Sequence, residues 1–318
     1  DGSESRGLGD VYKRQYILIV KFKVKNIEVF DIITLLNIMN MINTISGIKI
    51  QKFSPNLGAI ITDVDLSKGV NDDQFKDIEK AFLEYQVLFF QNQNEISPEL
   101  HLKFGKLFGE LHMHPAAPSM NGYPEIFEIH AHKDSKVANG EFWHSDVSCD
   151  ITPPLGTMLQ LHILPETGGD TMFSNMYAAY NELSDKYKTL LDGLIAIHES
   201  EHLYKGRYDD RGVNKDDIKT PAAKHPLIRT HPITGKKAIY VNRTFTTGIE
   251  GMSKYESSSI LEFLFNHCEH VNFQIRYRWN KNDMAFWDNR CTMHRAIWDY
   301  WPNERKGRRV TIKGDKPI

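Results

Sequence analysis

Hydrophobic and polar positions in the first part of the chain follow two different periods. Alternation over 58–66 predicts a half-buried strand, and the continuous apolar run Val87–Phe90 predicts a fully buried one. Between them, apolar residues recur every three or four positions, which predicts an amphipathic helix over Asp72–Tyr85. A second helix is predicted over 98–108. This part of the chain therefore alternates strands with helices.

Short β-rich runs dominate the chain after residue 120. Three of them, at 125–130, 157–162 and 237–241, are separated by Gly, Pro and Asn turns, a pattern typical of a sandwich or barrel. Helices are predicted at 176–184 and 253–268, between the β-rich runs. The sequence thus predicts a mainly β core with flanking helices.

The candidate metal chemistry begins with an H-x-D pair, His144 and Asp146. On an extended strand, side chains two residues apart project from the same face, so both can hold one ion. A lone His294 follows 150 residues after His144 and could supply a third ligand. Two histidines and one carboxylate are the ligand set of many iron(II) oxygenases. Arg305 and Arg309 follow, and a guanidinium fork matches an anionic co-substrate.

With these motifs the chain resembles the taurine dioxygenase family of iron(II)- and 2-oxoglutarate-dependent oxygenases. The resemblance runs from about residue 48 to the C-terminus. It is densest in the blocks 168–171, 231–232 with 241–246, 279–294 and 314–317. It implies a double-stranded β-helix, the cupin-like jelly roll, and an assembly of two or four identical subunits.

The resemblance also implies cofactors and residue roles. His144, Asp146 and His294 would hold Fe(II), leaving positions for 2-oxoglutarate and O2. Thr171 and Arg305 would bind the distal carboxylate of 2-oxoglutarate. Decarboxylation of this co-substrate would yield succinate and CO2.

A small anionic substrate is implied as well, most directly taurine or a related organosulfonate, which would be split into sulfite and an aldehyde. The implied substrate-binding residues are His114, Val147 through its amide, Phe245, Arg309 and, as a further contact, Tyr204. Ala117 stands where the taurine enzymes carry a tyrosine. An alkyl sulfate ester, an aryloxyalkanoate or another carboxylate is therefore an alternative substrate.

Two readings from other classes compete with an oxygenase. His198, Glu199 and His202 match H-E-x-x-H, which on a helix would hold zinc in a metallohydrolase. Against it, a β-like run precedes His198 and no third-ligand pattern follows. A non-catalytic jelly-roll binding module would lose a metal ligand or the arginine, and both are present.

Composition narrows the partners and the compartment. The chain has 318 residues and a formal net charge of −2, so it has no broad attraction for nucleic acid or an anionic membrane. Cys149, Cys268 and Cys291 show no paired spacing, and an odd count argues against a disulfide framework. We expect small core thiols and a cytoplasmic location.

The N-terminal segment is expected to lie outside the domain. Residues 1–15 resemble a translated sequencing-adapter remnant, and 16–38 carry too many charges for a membrane span. We expect 1–38 to be a non-native or disordered extension and 39–318 to form a single catalytic domain. The charged segment 205–224 is predicted to be a solvated loop, and the matching region can act as a lid in the family that the chain resembles.

Overall fold

The structure of the chain, a computed structural model, describes residues 46–137, 139–207 and 218–318. The expected extension 1–38 lies outside the described residues, as does 208–217 within the predicted loop. One compact unit extends from Ile42 to Ile318, and the following account concerns its described part. Within that part, no helix is long and apolar enough to cross a membrane.

Strands make up most of the regular structure. In chain order they are β1 (Lys49–Lys52), β2 (Ala59–Thr62), β3 (Val87–Phe90), β4 (Leu111–His112), β5 (Ser119–Met120), β6 (Tyr123–Ala131), β7 (Gly156–Ile163), β8 (Thr171–Asn175), β9 (Ile195–Glu199), β10 (Ala222–Pro226), β11 (Ile228–Thr230), β12 (Lys237–Ile239), β13 (Thr246–Ile249), β14 (Gln274–Tyr277), β15 (Met284–Asp288), β16 (Thr292–Ala296) and β17 (Arg305–Ile312). The helices are α1 (Asp72–Tyr85), α2 (Pro98–Lys106), α3 (Met176–Glu182), α4 (Asp185–Leu191), α5 (Glu201–Tyr204) and α6 (Lys254–Cys268).

The strands form one large sheet and several small ones. The large sheet has the order β1-β2-β3-β15-β7-β17-β6-β5, with β4 also paired to β17, and a small sheet has the order β14-β8-β16. Apart from the parallel pair β2 and β3, the described strand pairs in these two sheets are antiparallel. The non-sequential order of the large sheet, facing the small one, confirms the predicted jelly roll.

An aromatic core fills the space between the two sheets. Phe89 of β3 stacks on Tyr277 of β14 with ring centroids 3.8 Å apart, and Phe173 of β8 meets Phe89 edge-on at 5.7 Å. On the other face of the large sheet, Phe286 of β15 stacks on Phe82 of α1 at 3.9 Å. Side chains alternate along each strand, so Phe286 packs outward while its neighbours face the inner core.

Local sequence signals explain where the elements begin and end. Helix α1 has the predicted bounds because Asn71 and Gln74 form a reciprocal capping box at its start. The helix ends at Gln86, whose φ of 63° is left-handed. The helix predicted over 176–184 is in fact two, because Leu183 is extended and the Ser184 side chain caps a new helix, α4. The strand predicted over 58–66 is shorter than expected.

Strand β17 is central to the fold because it pairs with both β6 and β7. It carries Arg305 and Arg309 four residues apart, and Gly307 lies midway between them. A Cβ on Gly307 would lie 2.2 Å from the main-chain oxygen of Gln160 in β7. Only glycine permits this close approach, at the point where the register with β7 shifts. The positions of both arginines therefore depend on one glycine.

Candidate active site

The three predicted metal ligands converge in the structure. His144 and His294 of β16 form an isolated antiparallel bridge, in which each main-chain N–H donates to the other's carbonyl at 3.0 and 2.8 Å. Asp146 follows His144 by two residues. One ligand atom from each of the three buried side chains lies within 4.8 Å of the others. The bridge thus brings together residues that are 150 positions apart in the sequence.

The protonation of the two imidazoles suits a metal. His144 Nδ1 donates to the carbonyl of Phe142 at 2.7 Å, so the lone pair of Nε2 points toward Asp146 Oδ1, 3.6 Å away. His294 Nε2 lies 3.9 Å from Asp146 Oδ2. Burial, reinforced by His144, holds the pKa of His294 well below its usual range. Two neutral imidazoles and a carboxylate whose separations exceed hydrogen-bond length fit a divalent cation such as Fe(II).

The Asp146 carboxylate is ionised. Burial by itself would raise its pKa, but the Arg309 guanidinium, with the nearby histidines, holds the pKa well below the usual range. Arg309 Nη1 donates to Oδ1 at 2.8 Å, and the Thr157 hydroxyl donates to Oδ2 at 2.7 Å. The ligand is therefore negatively charged and tightly held.

One cavity beside the ligands contains the predicted co-substrate residues. Thr171 and Arg305 line it together with His144 and His294. Arg305 donates from Nε to the Gly169 carbonyl at 3.0 Å, and its Nη2 lies 3.4 Å from Thr171 Oγ1. Among the described residues Arg305 forms no ion pair, although its side chain is buried. A buried guanidinium without a carboxylate partner suits an anionic ligand.

The second cavity contains all five predicted substrate residues. They are His114, Val147, Tyr204, Phe245 and Arg309, and they line the cavity together with the ligands His144 and Asp146. Burial, with a contribution from Arg309, holds the pKa of His114 well below its usual range. Val147 has a φ of 46°, which is strained for a β-branched residue and sets the direction of the backbone after Asp146.

Several residues at the site carry no recognisable sequence signal. Asn139, Gly140, His144 and Arg309 line both cavities, so the ligand cluster lies where the cavities meet. Gly140 has a φ of 80°, and a Cβ there would lie 3.2 Å from His144 Cε1. A lone glycine in a loop did not identify this approach. The substrate cavity is also lined by residues that sequence reasoning missed, namely Phe127, Leu203, Arg207 and Thr244.

The H-E-x-x-H residues do not form a zinc site. His198 and Glu199 lie on strand β9, and helix α5 begins only at Glu201, so the two histidines are not on one helical face. His198 Nδ1 is hydrogen-bonded to Ser148 Oγ at 3.0 Å, and His202 Nε2 is bonded to the Thr244 carbonyl at 2.9 Å. The structure gives the metallohydrolase alternative no support.

A second buried group combines residue types that bind metals: His231, Asp288 and Cys291. Both carboxylate oxygens of Asp288 accept from Arg290, at 2.8 and 2.7 Å. Burial raises the pKa of Cys291 well above its usual range, so this thiol is protonated. Cys149 and Cys268 are buried as well, and burial raises the pKa of Cys149 to about 12. The expectation of inert core thiols agrees with these positions.

A cation held by two imidazoles and one carboxylate keeps positions free for a co-substrate and O2, which defines the class of iron(II)- and 2-oxoglutarate-dependent oxygenases. A family model described as "Taurine catabolism dioxygenase TauD, TfdA family" matches residues 49–311, and the chain belongs to this family. It is an α-ketoglutarate-dependent dioxygenase, whose cofactors are Fe(II), 2-oxoglutarate and O2.

Individual relatives are similar over most of the chain. A putative alpha-ketoglutarate-dependent sulfonate dioxygenase of Schizosaccharomyces pombe is 31% identical over 85% of this chain and 70% of its own. An alpha-ketoglutarate-dependent sulfate ester dioxygenase of Pseudomonas putida is 31% identical over 82% of this chain and 88% of its own. A crystal structure of a putative alpha-ketoglutarate-dependent taurine dioxygenase from Burkholderia xenovorans has a TM-score of 0.74 at 33% identity, covering 86% of this chain and 94% of that one.

Proposed function

We propose that this dioxygenase hydroxylates a small organosulfonate, taurine or a close relative, at the carbon that carries the sulfonate. The observation that carries the proposal is the meeting of two cavities at His144 and Asp146, with Arg305 beside one and Arg309 beside both. Each cavity thus offers a buried guanidinium to one anion. A two-anion reaction, with co-substrate and substrate on either side of the metal ligands, fits this arrangement.

His144, Asp146 and His294 are the proposed ligands of Fe(II), which when bound supplies the oxidising chemistry while 2-oxoglutarate is converted to succinate and CO2. Arg305 and the Thr171 hydroxyl bind the distal carboxylate of 2-oxoglutarate. The Trp279 indole N–H donates to Thr171 Oγ1 at 3.0 Å and so fixes that hydroxyl for an onward bond. This contact pre-organises the co-substrate site.

On the substrate side, Arg309, the Val147 amide and His114 bind the sulfonate, and Phe245 and Tyr204 cover it. The Ala117 amide donates to His114 Nδ1 at 2.9 Å, so the proton of this neutral imidazole is on Nε2, available to a sulfonate oxygen. Fixing the anion places the adjacent C–H toward the metal ligands. Hydroxylation of that carbon releases sulfite and leaves an aldehyde.

A second candidate substrate is an alkyl sulfate ester, with an aryloxyalkanoate or another carboxylate as a further possibility. Ala117 supports it, because a methyl group offers no hydroxyl to the polar end of taurine. The printed names of relatives include both sulfonate and sulfate ester dioxygenases. All these substrates share one anionic group that Arg309 can bind.

The first experiment is an anaerobic titration of Fe(II)-loaded protein with 2-oxoglutarate, followed by O2-dependent assays of succinate and sulfite with taurine. We expect a visible charge-transfer band and taurine-dependent sulfite. A band without sulfite would replace taurine by a panel of sulfonates, sulfate esters and carboxylates. Well-folded, iron-loaded protein without a band would contradict the assigned metal site.

The resemblance to the family also leads us to propose a homodimer or homotetramer that works in the cytoplasm. The protonated core thiols at Cys149, Cys268 and Cys291 suit a reducing compartment. Light scattering of the purified protein measures the assembly, and a monomer would contradict this part of the proposal.

A further inference from the structure

A chain of buried hydrogen bonds runs from Trp287 to the carboxylate of Asp146. Trp287 Nε1 donates to Asn289 Oδ1 at 3.1 Å, Asn289 Nδ2 donates to Thr157 Oγ1 at 2.9 Å, and Thr157 Oγ1 donates to Asp146 Oδ2 at 2.7 Å. The main-chain N–H of Asp146 also donates to Asn289 Oδ1, at 3.2 Å. Each of the four side chains is at most 2% exposed. Water therefore has little access to this chain.

The direction of every bond in this chain is fixed. An indole N–H can only donate, so the oxygen of the Asn289 amide must face Trp287. The NH2 group of Asn289 then faces Thr157, whose hydroxyl accepts that bond and has one proton to give. The ionised Asp146 can only accept, so the Thr157 proton goes to Oδ2. One indole at the far end thus orders every donor up to the carboxylate.

The two oxygens of Asp146 are consequently not equivalent. Oδ2 accepts the hydroxyl of Thr157, while Oδ1 lies 3.6 Å from His144 Nε2 and accepts from Arg309. A carboxylate that binds a metal through one oxygen takes one coordination position, whereas binding through both oxygens takes two. With two histidines, the first mode leaves room for a bidentate co-substrate and O2.

We propose that Thr157 and Asn289 are positioning residues that hold Asp146 as a one-oxygen ligand through Oδ1. The inference rests on the proposed role of Asp146 as a metal ligand. Neither residue touches the metal position in this arrangement. Thr157 acts by occupying Oδ2, and Asn289 acts by orienting Thr157 and by fixing the main chain at Asp146.

The decisive variant is Thr157→Val, which keeps the shape of the side chain and removes the hydroxyl. The matched control is Thr292→Val, because Thr292 is equally buried but donates to the main-chain carbonyl of Asp288 at 2.7 Å. Thr157→Ser keeps the hydroxyl and is the conservative rescue. If Thr157→Val fails to fold, Thr157→Cys replaces it, since a thiol is only a weak donor.

The probe is Co(II) added under anaerobic conditions, read by affinity and by the visible absorption spectrum, which reports coordination number. For Thr157→Val we expect a roughly 10–100-fold loss of affinity, the usual cost of removing a partner of a ligand, together with a changed spectrum. Thr157→Ser and Thr292→Val should match the wild type. A stability change alone would move the melting temperature and not the spectrum.

Two outcomes separate this inference from the proposed function. Wild-type protein that binds no Co(II) would overturn the metal site itself, and the positioning role with it. Wild-type protein that binds Co(II), with a Thr157→Val variant of the same affinity and spectrum, would overturn the positioning role only. An equal loss in Thr292→Val would also overturn it, because the effect would then follow from any buried hydroxyl near the site.

Discussion

Two buried clusters in this protein each bring together three side chains of metal-binding types, and they differ in what their neighbours leave available. The open cluster is His144, Asp146 and His294; the saturated cluster is His231, Asp288 and Cys291. In the open cluster, both histidine Nε2 atoms face Asp146 at 3.6 and 3.9 Å, too far for a hydrogen bond. Their lone pairs remain available to a cation.

In the saturated cluster the same groups are already committed. Arg290 takes both oxygens of Asp288, and His231 Nε2 lies 3.1 Å from one of them. His231 Nδ1 accepts from the amides of Ile233 and Thr234, so Nε2 carries the proton and has no lone pair to offer. Residue type and proximity are therefore insufficient criteria for a metal site. The hydrogen bonds of the surrounding groups decide the matter.

The largest effect is expected when the open cluster loses a ligand. His144→Ala, Asp146→Ala or His294→Ala should each abolish 2-oxoglutarate turnover and reduce Fe(II) affinity by more than the roughly 10–100-fold typical of second-layer partners. Metal analysis and succinate formation measure both. Unchanged turnover in any one variant would remove that residue from the ligand set.

The saturated cluster should respond in stability instead. Asp288→Ala leaves the Arg290 guanidinium, which is 5% exposed, without its carboxylate. We expect the free energy of unfolding to fall by about 3–5 kcal/mol, the usual cost of an uncompensated buried charge. Urea unfolding measures this, and the folded fraction should still bind one iron per chain. Loss of iron from folded protein would erase the distinction between the clusters.

The two arginines should separate co-substrate from substrate. Arg305→Ala should raise the KM for 2-oxoglutarate, and Arg309→Ala should raise the KM for the primary substrate, each by about 10–100-fold. A hydrogen bond to a charged group contributes about 1.5–3 kcal/mol, which corresponds to that range. Steady-state kinetics with both substrates varied measures the split. The reverse pattern would exchange the two roles.

The smallest effect concerns His198, a buried histidine outside both clusters. Burial lowers the pKa of His198 to about 3, whereas an unfolded histidine titrates near 6.5. Between these values the unfolded chain binds a proton that the native state does not, so stability is complete above pH 6.5 and falls as the pH is lowered. The slope is at most about 1.4 kcal/mol per pH unit.

The check for His198 is His198→Gln, which cannot titrate. Unfolding free energies of both proteins at pH 6.5 and 5.5 should show a shallower slope for the variant, while His101, whose pKa burial also lowers to about 3, contributes equally to both. Iron content should be the same in the two proteins. Identical slopes would show that His198 is protonated in the native state.

The fold could be predicted where local signals act alone. Helix α1 carries its capping residues and its apolar period within one stretch, so its bounds were predictable. The break at Leu183 was not, because Ser184 is equally compatible with the interior of a longer helix as read from the sequence. The prediction for 205–224 stays untested over 208–217, which lie outside the described residues.

Prediction of the site followed the same division. His144, Asp146 and His294 were recognisable because the ligand types and the arginines form a pattern with a known chemical meaning. Thr157 and Asn289 were invisible, since a threonine in a strand and an asparagine in a turn have many ordinary explanations. Gly140 belongs with them. Such residues acquire meaning only from donors, acceptors and distances that arise after folding.

Strand β17 has a consequence for engineering. Its four-residue interval between Arg305 and Arg309 spans about 13 Å of extended backbone, and the strand is held on both sides by β6 and β7. The separation of the two anion sites is thus a ruler built into the sheet, independent of the loops that shape the substrate cavity. Libraries that vary Leu203, Thr244 and Phe245 should change which molecule is accepted while the ruler keeps its length.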